Sequence, residues 1–350
     1  NPAQPASYTA CDSLTFMFDI AGSLLYTNYG DANGTTNRMN GNLEYMTLQF
    51  PLWRRYIAMS VGVNPYSAVG YKFALNDSLK QGDEYVYHHT KAYSGEGGFT
   101  QVYGGLSFNI CNWVALGVNA YYMFGDMTKL RTQTFVESSA KGASQTDFLS
   151  ISSLRLRYGA QIFHTFGKHT VVLGGVFENK QRFSNSHYQQ IETTTNDTVS
   201  TLDNAFEMPM MYGAGISYNY ADRLTVALDY QCQDWTKTIY FDKQDVLRAR
   251  QRWALGAEYR HDPLGRDYID RVCWRLGANY STSYAMMSDI PEFGVSLGFG
   301  LPLRTVSTMI NATVEYVHRG GIQQDVLNEN AVRLVISAAI SENWFFKRKL

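Results

Sequence analysis

The sequence predicts an all-β protein of one kind: a transmembrane antiparallel β-barrel of about fourteen strands, with short periplasmic turns and long extracellular loops. Three observations lead there. First, apolar residues fall on every second position in segment after segment, and Leu334-Val335-Ile336-Ser337-Ala338-Ala339-Ile340-Ser341 near the C-terminus is one of about fourteen such stretches. A period of two means extended chain with one apolar face. Second, the opposite parity carries Arg, Glu, Asn, Ser and Gly, which do not suit a dry core. The apolar face therefore points out to lipid and the polar face lines a lumen. Third, the connections alternate between short and long along the chain, as they do in outer-membrane barrels.

The bulk numbers agree with this solvent. The chain has 350 residues, a formal net charge of -1 and 45% hydrophobic residues. It contains no apolar run of about eighteen residues, so a transmembrane helix is not on offer. Its 25 Tyr and 19 Phe suit aromatic girdles at the membrane surfaces. Near-neutral charge gives no footing for nucleic acid. Cys11, Cys111, Cys232 and Cys273 lie far apart without a CxxC, so neither a metal site nor a disulfide framework is expected. The sequence opens at Asn1-Pro2-Ala3, and for an exported barrel a removed signal sequence is expected upstream.

The first strand runs about Leu14 to Tyr29, with Phe16, Phe18, Ile20, Leu24 and Tyr26 on one parity, and a polar loop is expected over Gly30–Gly41. The second, Asn42 to Phe50, turns at Pro51-Leu52-Trp53-Arg54-Arg55 into the third, Tyr56 to Phe73, before a long polar loop over Asn76–Gly97. The fourth, Phe99 to Ile110, turns at Cys111-Asn112-Trp113 into the fifth, Val114 to Phe135. The sixth (Phe148 to Phe163) and seventh (Thr170 to Gln190) flank Gly167-Lys168-His169, and a polar loop is expected over Thr193–Asn204. The eighth (Met208 to Tyr220) and ninth (Leu224 to Phe241) flank Ala221-Asp222-Arg223. The tenth (Arg250 to Arg260), eleventh (Arg271 to Tyr284), twelfth (Glu292 to Pro302), thirteenth (Thr305 to His318) and fourteenth (Ala331 to Phe345) complete the count. Trp53, Trp113, Trp274 and Trp344 all fall at the short-turn side, where an indole sits well at headgroup level. An even strand number places both termini in the periplasm.

Particular residues carry a family likeness. Asn1-Pro2-Ala3, Pro5-Ala6-Ser7-Tyr8 and Asp12-Ser13-Leu14-Thr15-Phe16 resemble the barrel start of the FadL/TodX family of outer-membrane hydrophobic-compound transporters. Val61-Gly62-Val63-Asn64-Pro65-Tyr66-Ser67-Ala68-Val69-Gly70-Tyr71 resembles the Pro-Tyr-Ser segment of Bacteroidetes-type members, and Trp344-Phe345-Phe346-Lys347-Arg348-Lys349 is similar to the end of that lineage. The resemblance spans the chain. It implies a fourteen-stranded barrel, a lumen plugged by an N-terminal hatch, and a kinked third strand that opens the wall sideways. The hatch motif here is Asn1, Pro2 and Ala3, with little before it, so the hatch is expected to be missing or disordered. The organisation expected is a residual hatch segment over 1–13, the barrel over 14–346 and a basic periplasmic tail over 347–350.

Pro65 is the sharpest local clue. It cannot donate to a ladder, so within a closed barrel it should leave a gap or kink. The lateral opening is placed at Asn64, Pro65 and Tyr66, with Gly70 allowing close backbone approach; a bulge near the outer rim is the bland alternative. Inward parity carries Arg155, Arg157, Arg252, Arg260, Arg275 and Arg333, together with Glu258 and Glu315. Opposite charges should meet in a structural lining, or an Arg should hold an anionic headgroup through a bidentate contact. Met208, Met210, Met211, Met286 and Met287 sit beside external loops, either as an adaptable apolar groove or as loop packing. His88 and His89 are adjacent on extended chain and point opposite ways, which argues against a shared metal. No catalytic constellation, metal site or cofactor is expected.

The resemblance implies passive uptake of a hydrophobic, fatty-acid-like molecule through the lumen and a side opening in the outer membrane. The expected partners are outer-membrane lipid and that small molecule. The alternative is a non-transporting accessory or scaffold barrel of an outer-membrane secretion or assembly complex, similar to type IX secretion, with other outer-membrane or periplasmic proteins as partners.

Overall fold

A computed structural model describes the chain apart from residues 1, 13, 32–33, 82–83, 137–140, 184, 204–205, 241–242, 285–289, 304–307, 321–327 and 344–350; for 31, 79–81, 84–87, 185, 202–203 and 343 it describes the backbone only. The expectations for Asn1, Met286, Met287, Trp344 and the basic tail therefore lie outside the described residues.

Fourteen strands build the barrel: β1 (Thr15–Asp31), β2 (Gly34–Trp53), β3 (Ile57–Gln81), β4 (Glu84–Cys111), β5 (Val114–Phe135), β6 (Ala143–Phe166), β7 (His169–Glu178), β8 (Met210–Tyr220), β9 (Leu224–Asp234), β10 (Arg250–Arg260), β11 (Cys273–Ser281), β12 (Glu292–Pro302), β13 (Met309–Arg319) and β14 (Asn328–Asn343). Each pairs antiparallel with its neighbours in the sequence, and β14 returns to β1, so the ladder closes on itself. Closure is what lipid demands, because an unpaired backbone group in hydrocarbon costs several kcal/mol. A hairpin, Asn185–Thr193 with Asp197–Asp203, adds to the side of β6 beyond β7.

The alternation read from the sequence sets the two faces. Leu173, Leu255, Leu276, Leu297, Val314 and Ile336 are exposed on the outside, while Asn119, Arg155, Glu315 and Ser337 are buried inside. The expected bounds of the fifth, tenth and twelfth strands match β5, β10 and β12. Trp53, Trp113 and Trp274 are exposed near the short-turn end.

The two halves of the barrel differ in height. Strands β7 to β13 are 9–11 residues long, which is the length that crosses a bilayer at a tilt. Strands β2 to β6 are 20–28 residues long, so their far ends rise as a wall above the lipid. This corrects three expected loops. Residues 30–31, 34–41, 76–81 and 84–97 are continuations of β1, β2, β3 and β4, and most of 193–204 belongs to the added hairpin. Strand alternation fades there because a strand standing in water needs no apolar face. The expected seventh strand stops at Glu178 instead of Gln190, and the ninth stops at Asp234 instead of Phe241, because the chain turns inward over the lumen at both places.

A bulge at Tyr66 marks the change of solvent on β3. Pro65 pairs with Thr100 and Ser67 with Phe99, leaving Tyr66 as the extra residue. An extra residue reverses the parity of everything beyond it. Below the bulge Val61 and Val63 face lipid. Above it Val69, Tyr71, Phe73 and Leu75 share the face of buried Phe99 and Met127, and Ala68, Gly70, Lys72 and Ala74 take the outer face.

Leu276→Arg tests the assignment of the outer face. It should destabilise the barrel in lipid vesicles by about 2–4 kcal/mol, measured by urea unfolding, whereas Leu276→Val should be nearly neutral.

Candidate functional site

The lumen is filled from its short-turn end by the N-terminal segment, whose Pro5–Ala10 forms a 3-10 helix. Of the expected hatch segment, Pro2 to Asp12 lie inside the barrel mouth. The Tyr8 hydroxyl donates to Asn119 Oδ1 (3.0 Å), and Asn119 Nδ2 and the Tyr121 hydroxyl both donate to Pro2 O (2.9 and 2.7 Å). Gln4 Nε2 donates to Ala160 O and Gly175 O, Ser107 Oγ to Ala6 O, and Gln49 Nε2 to Tyr8 O. Five strands thus satisfy one short segment. Glycine makes room for it. A Cβ at Gly117 would lie 2.5 Å from Pro5 O, and one at Gly159 would lie 2.8 Å from the Pro5 ring. Arg55 pairs with Asp12 at 2.8 Å and ties the segment's exit to the β2–β3 turn.

Above the segment lies a buried ion triad. Arg155 Nη1 is 2.9 Å from Glu178 Oε2, and Arg157 Nε donates to Glu178 Oε1. Arg155 also donates to Gln101 Oε1 (3.1 Å) and stands over the Tyr66 and Tyr121 rings; Arg157 stands over Tyr121 and reaches Ala3 O at 3.4 Å. Both arginines are therefore committed to a structural network.

The far end is capped. Phe183, Phe206 and Met208, from the chain between β7 and β8, pack on Phe99, Met123, Met127, Leu149 and Ile151, with Trp235 and Tyr240 against them. Met208 is thus loop packing rather than an open groove, while Met211 lines the cavity described below and Met210 is exposed. Glu207 pins the cap: it takes Lys180 at 2.8 Å, Arg182 at 3.0 Å and the Ile239 N–H at 3.1 Å. Burial opposes its ionisation, but the bonds from Lys180, the Ile239 N–H and Arg182 outweigh it and hold the carboxyl below the usual glutamate range.

The remaining candidate arginines divide clearly. Arg275 Nε meets Glu258 Oε2 at 2.7 Å, Arg260 lies 3.8 Å from Glu258, and Arg333 Nε meets Glu315 Oε2 at 2.8 Å and Glu44 at 3.4 Å through Nη1. Arg252 makes no ion pair among the described residues. It lines a cavity of about 560 Å³ between the N-terminal segment and β7–β10, with Asp229, Gln231, Gln161, Gly174 and Gly215. Val172, Val176, Met211 and Ala254 share the lining, so the cavity mixes apolar surface with a few charged and amide groups. His89 is buried and His88 exposed, on opposite faces of β4.

The wall itself has a seam. β2 and β3 pair only from Trp53/Ile57 up to Met46/Val63, and beyond that level no ladder joins residues 34–45 to 64–81. Asn64 and Pro65 are the first residues of β3 past the break. Two bulges flank it, one at Glu44 in β2 against β1 and one at Tyr66 in β3 against β4. Each bends its strand, and together they splay the pair apart. Arg38 reaches across, donating from Nη1 to Gly70 O at 2.6 Å and from Nε to Asn40 Oδ1. Gly70 thus presents its carbonyl to a side chain, not a close backbone neighbour. Tyr66 turns inward onto Arg155 and Met208.

Several participants are absent from the sequence reading: Glu178, Glu44, Arg38 and the glycines under the N-terminal segment. Glu178 was within reach. Counting back from the Gly167-Lys168 turn puts it directly opposite Arg157, as the observed register does.

The architecture defines an outer-membrane-type barrel of the FadL/TodX fold. Solved structures share it at low identity. The Pseudomonas putida toluene transporter TodX matches with TM-score 0.65 and 11% identity over 99% of this chain and 94% of its own. The Ralstonia pickettii toluene transporter TbuX matches with TM-score 0.60 and 11% identity over 96% and 91%. A Pseudomonas aeruginosa FadL homologue matches with TM-score 0.59 and 13% identity over 97% and 93%. No curated protein matches. The chain belongs to the BamG family, whose profile matches residues 1–350.

Glu178→Gln should destabilise the barrel by about 3–5 kcal/mol by leaving two buried guanidinium groups short of an anion, read from urea unfolding. Gly117→Val should expel the N-terminal segment without preventing barrel assembly, so limited proteolysis should remove residues before Thr15 from the variant and spare them in the parent. Because the folded Glu207 carboxyl is held low, its contribution to the cap is complete above the ordinary glutamate value of about 4.3 and is lost as pH falls through the lower folded value. Protease nicking between β7 and β8 should rise only in that acid range.

Proposed function

We propose that this barrel is a structural subunit of an outer-membrane protein assembly and does not conduct through its lumen, with the short turns and both termini in the periplasm. The observation that carries this reading is the filling of the lumen from both ends, by the N-terminal segment on one side and the Phe183–Phe206–Met208 cap on the other, with the Arg155–Glu178–Arg157 triad between them. A molecule crossing there would have to break a buried ion network, which costs several kcal/mol. The partners are other outer-membrane or periplasmic proteins, and lipid covers the apolar outer face.

A second reading is favoured by the seam. A break in the ladder beside Asn64 and Pro65 suits a lateral doorway, through which a hydrophobic small molecule passes into the membrane by partition alone. On that reading Arg252 is the cation left to hold an anionic headgroup, and no energy source or cofactor is needed.

Purification from native membranes at endogenous level separates the two. Recovery of the barrel with other envelope proteins in near-equal amounts supports the structural reading. Recovery of the barrel alone, with uptake of labelled fatty acid or toluene that depends on it and falls in Pro65→Val, overturns that reading and supports transport.

A further inference from the structure

The seam between β2 and β3 leaves two backbone edges facing each other without a ladder, over 34–45 and from 64 upward. Long open edges invite another strand, and natural proteins cover, charge or pair them. Here the described link across the seam is the Arg38 side chain alone. An extended arginine is on the order of 7 Å from Cα to its terminal nitrogens. With its 2.6 Å hydrogen bond to Gly70 O, it bridges up to roughly two inter-strand spacings of about 4.8 Å each. That reach leaves room for at most one further strand between the edges.

The rims specify the chemistry of the occupant. On the outer face β2 presents Met39 and Leu43, exposed at 67% and 45%, beside Leu24 and Tyr26 of β1. On the inner face it presents Arg38 and Asn40, and across the seam the Asn64 Oδ1 is buried with no hydrogen-bond partner. A segment seated between them meets Met39 and Leu43 with its outward side chains and Arg38 and Asn64 with its inward ones. It must also place an acceptor, best a carboxylate, at the level of Arg38.

We propose that the seam is a strand-acceptor site: an extended segment of another polypeptide, alternating apolar and polar residues and carrying an acidic residue on its polar face, adds antiparallel to the free edge of β3 and takes over the Arg38 guanidinium from Gly70 O. The proposal rests on the structural-subunit reading and names where a partner binds. Antiparallel pairing with β3 is the stronger of the two ladders available, since the same strand runs parallel to β2. Main-chain bonds supply the affinity and the alternation supplies the specificity.

The test uses the full chain in its native membrane. A photo-crosslinking p-benzoylphenylalanine replaces Lys72 on the outer face of the β3 edge, and in a control replaces lipid-facing Leu255 of β10. Adducts are mapped by mass spectrometry. Amide exchange of 64–75 is compared between native membranes and the purified barrel. The expected result is an adduct at Lys72, absent at Leu255, that maps to an alternating segment containing Asp or Glu, with slower exchange in the membrane. Arg38→Glu should lower that adduct by about tenfold or more, as loss of a charge-assisted bond implies. Arg38→Gln serves if the first variant fails to assemble. An adduct with lipid or a small hydrophobic molecule alone overturns the proposal and favours a doorway. Partners that co-purify but are captured only at Leu255 overturn it while leaving the subunit reading intact. With no co-purifying protein and no protein adduct, both fall together.

Discussion

In hydrocarbon a backbone N–H or C=O has no water to fall back on, and this one constraint organises the chain. It forces fourteen strands into a closed ladder, and closure forces each strand to show one face to lipid and one to the lumen. The inward face then has to satisfy its own polar groups without bulk water. The barrel does so with cross-strand ion pairs set directly opposite one another: Arg157 with Glu178, Glu258 with Arg275 and Glu315 with Arg333. The N-terminal segment is a further consequence. Its backbone carbonyls give the inward Asn119, Tyr121 and Ser107 their partners, and those side chains in turn give the segment a fixed path.

The same constraint explains where the fold is relaxed. Backbone without a partner is tolerable only where the strands approach or leave the membrane surface. The seam begins about a third of the way up β3, at Asn64, and runs toward the long-loop end. Two bulges, a proline and a parity switch coincide at that level. A barrel that merely stood in lipid has no use for this concentration of irregularity. Its presence beside a lumen occupied by the N-terminal segment, the ion triad and the cap shifts attention from the pore to the wall.

Much of this was legible in the sequence, and the failures have physical reasons. The fold class and most strand positions follow from alternation, which is strong where one face meets lipid. The wall above the membrane looks like loop in the sequence because Thr35, Thr36, Asn37, Asn76 and Asp77 are polar at both parities; water on the outside removes the pattern that marks a strand. Pro65 pointed to the break, since a missing donor is a local property. Arg38 did not stand out, because its role depends on how far two strands diverge. The N-terminal path was missed because no local pattern announces it. Its signal was distributed over Gly105, Gly117 and Gly159, inward-facing glycines on three adjacent strands that only a folded barrel brings side by side.

The central claim is a closed lumen, and ion conductance of the purified full chain in a planar lipid bilayer tests it most directly. The account predicts a flat baseline at moderate voltage, with at most brief openings. A steady, porin-like open conductance in the parent protein would contradict it, because ions would then be passing through the space assigned to the N-terminal segment, the ion triad and the cap.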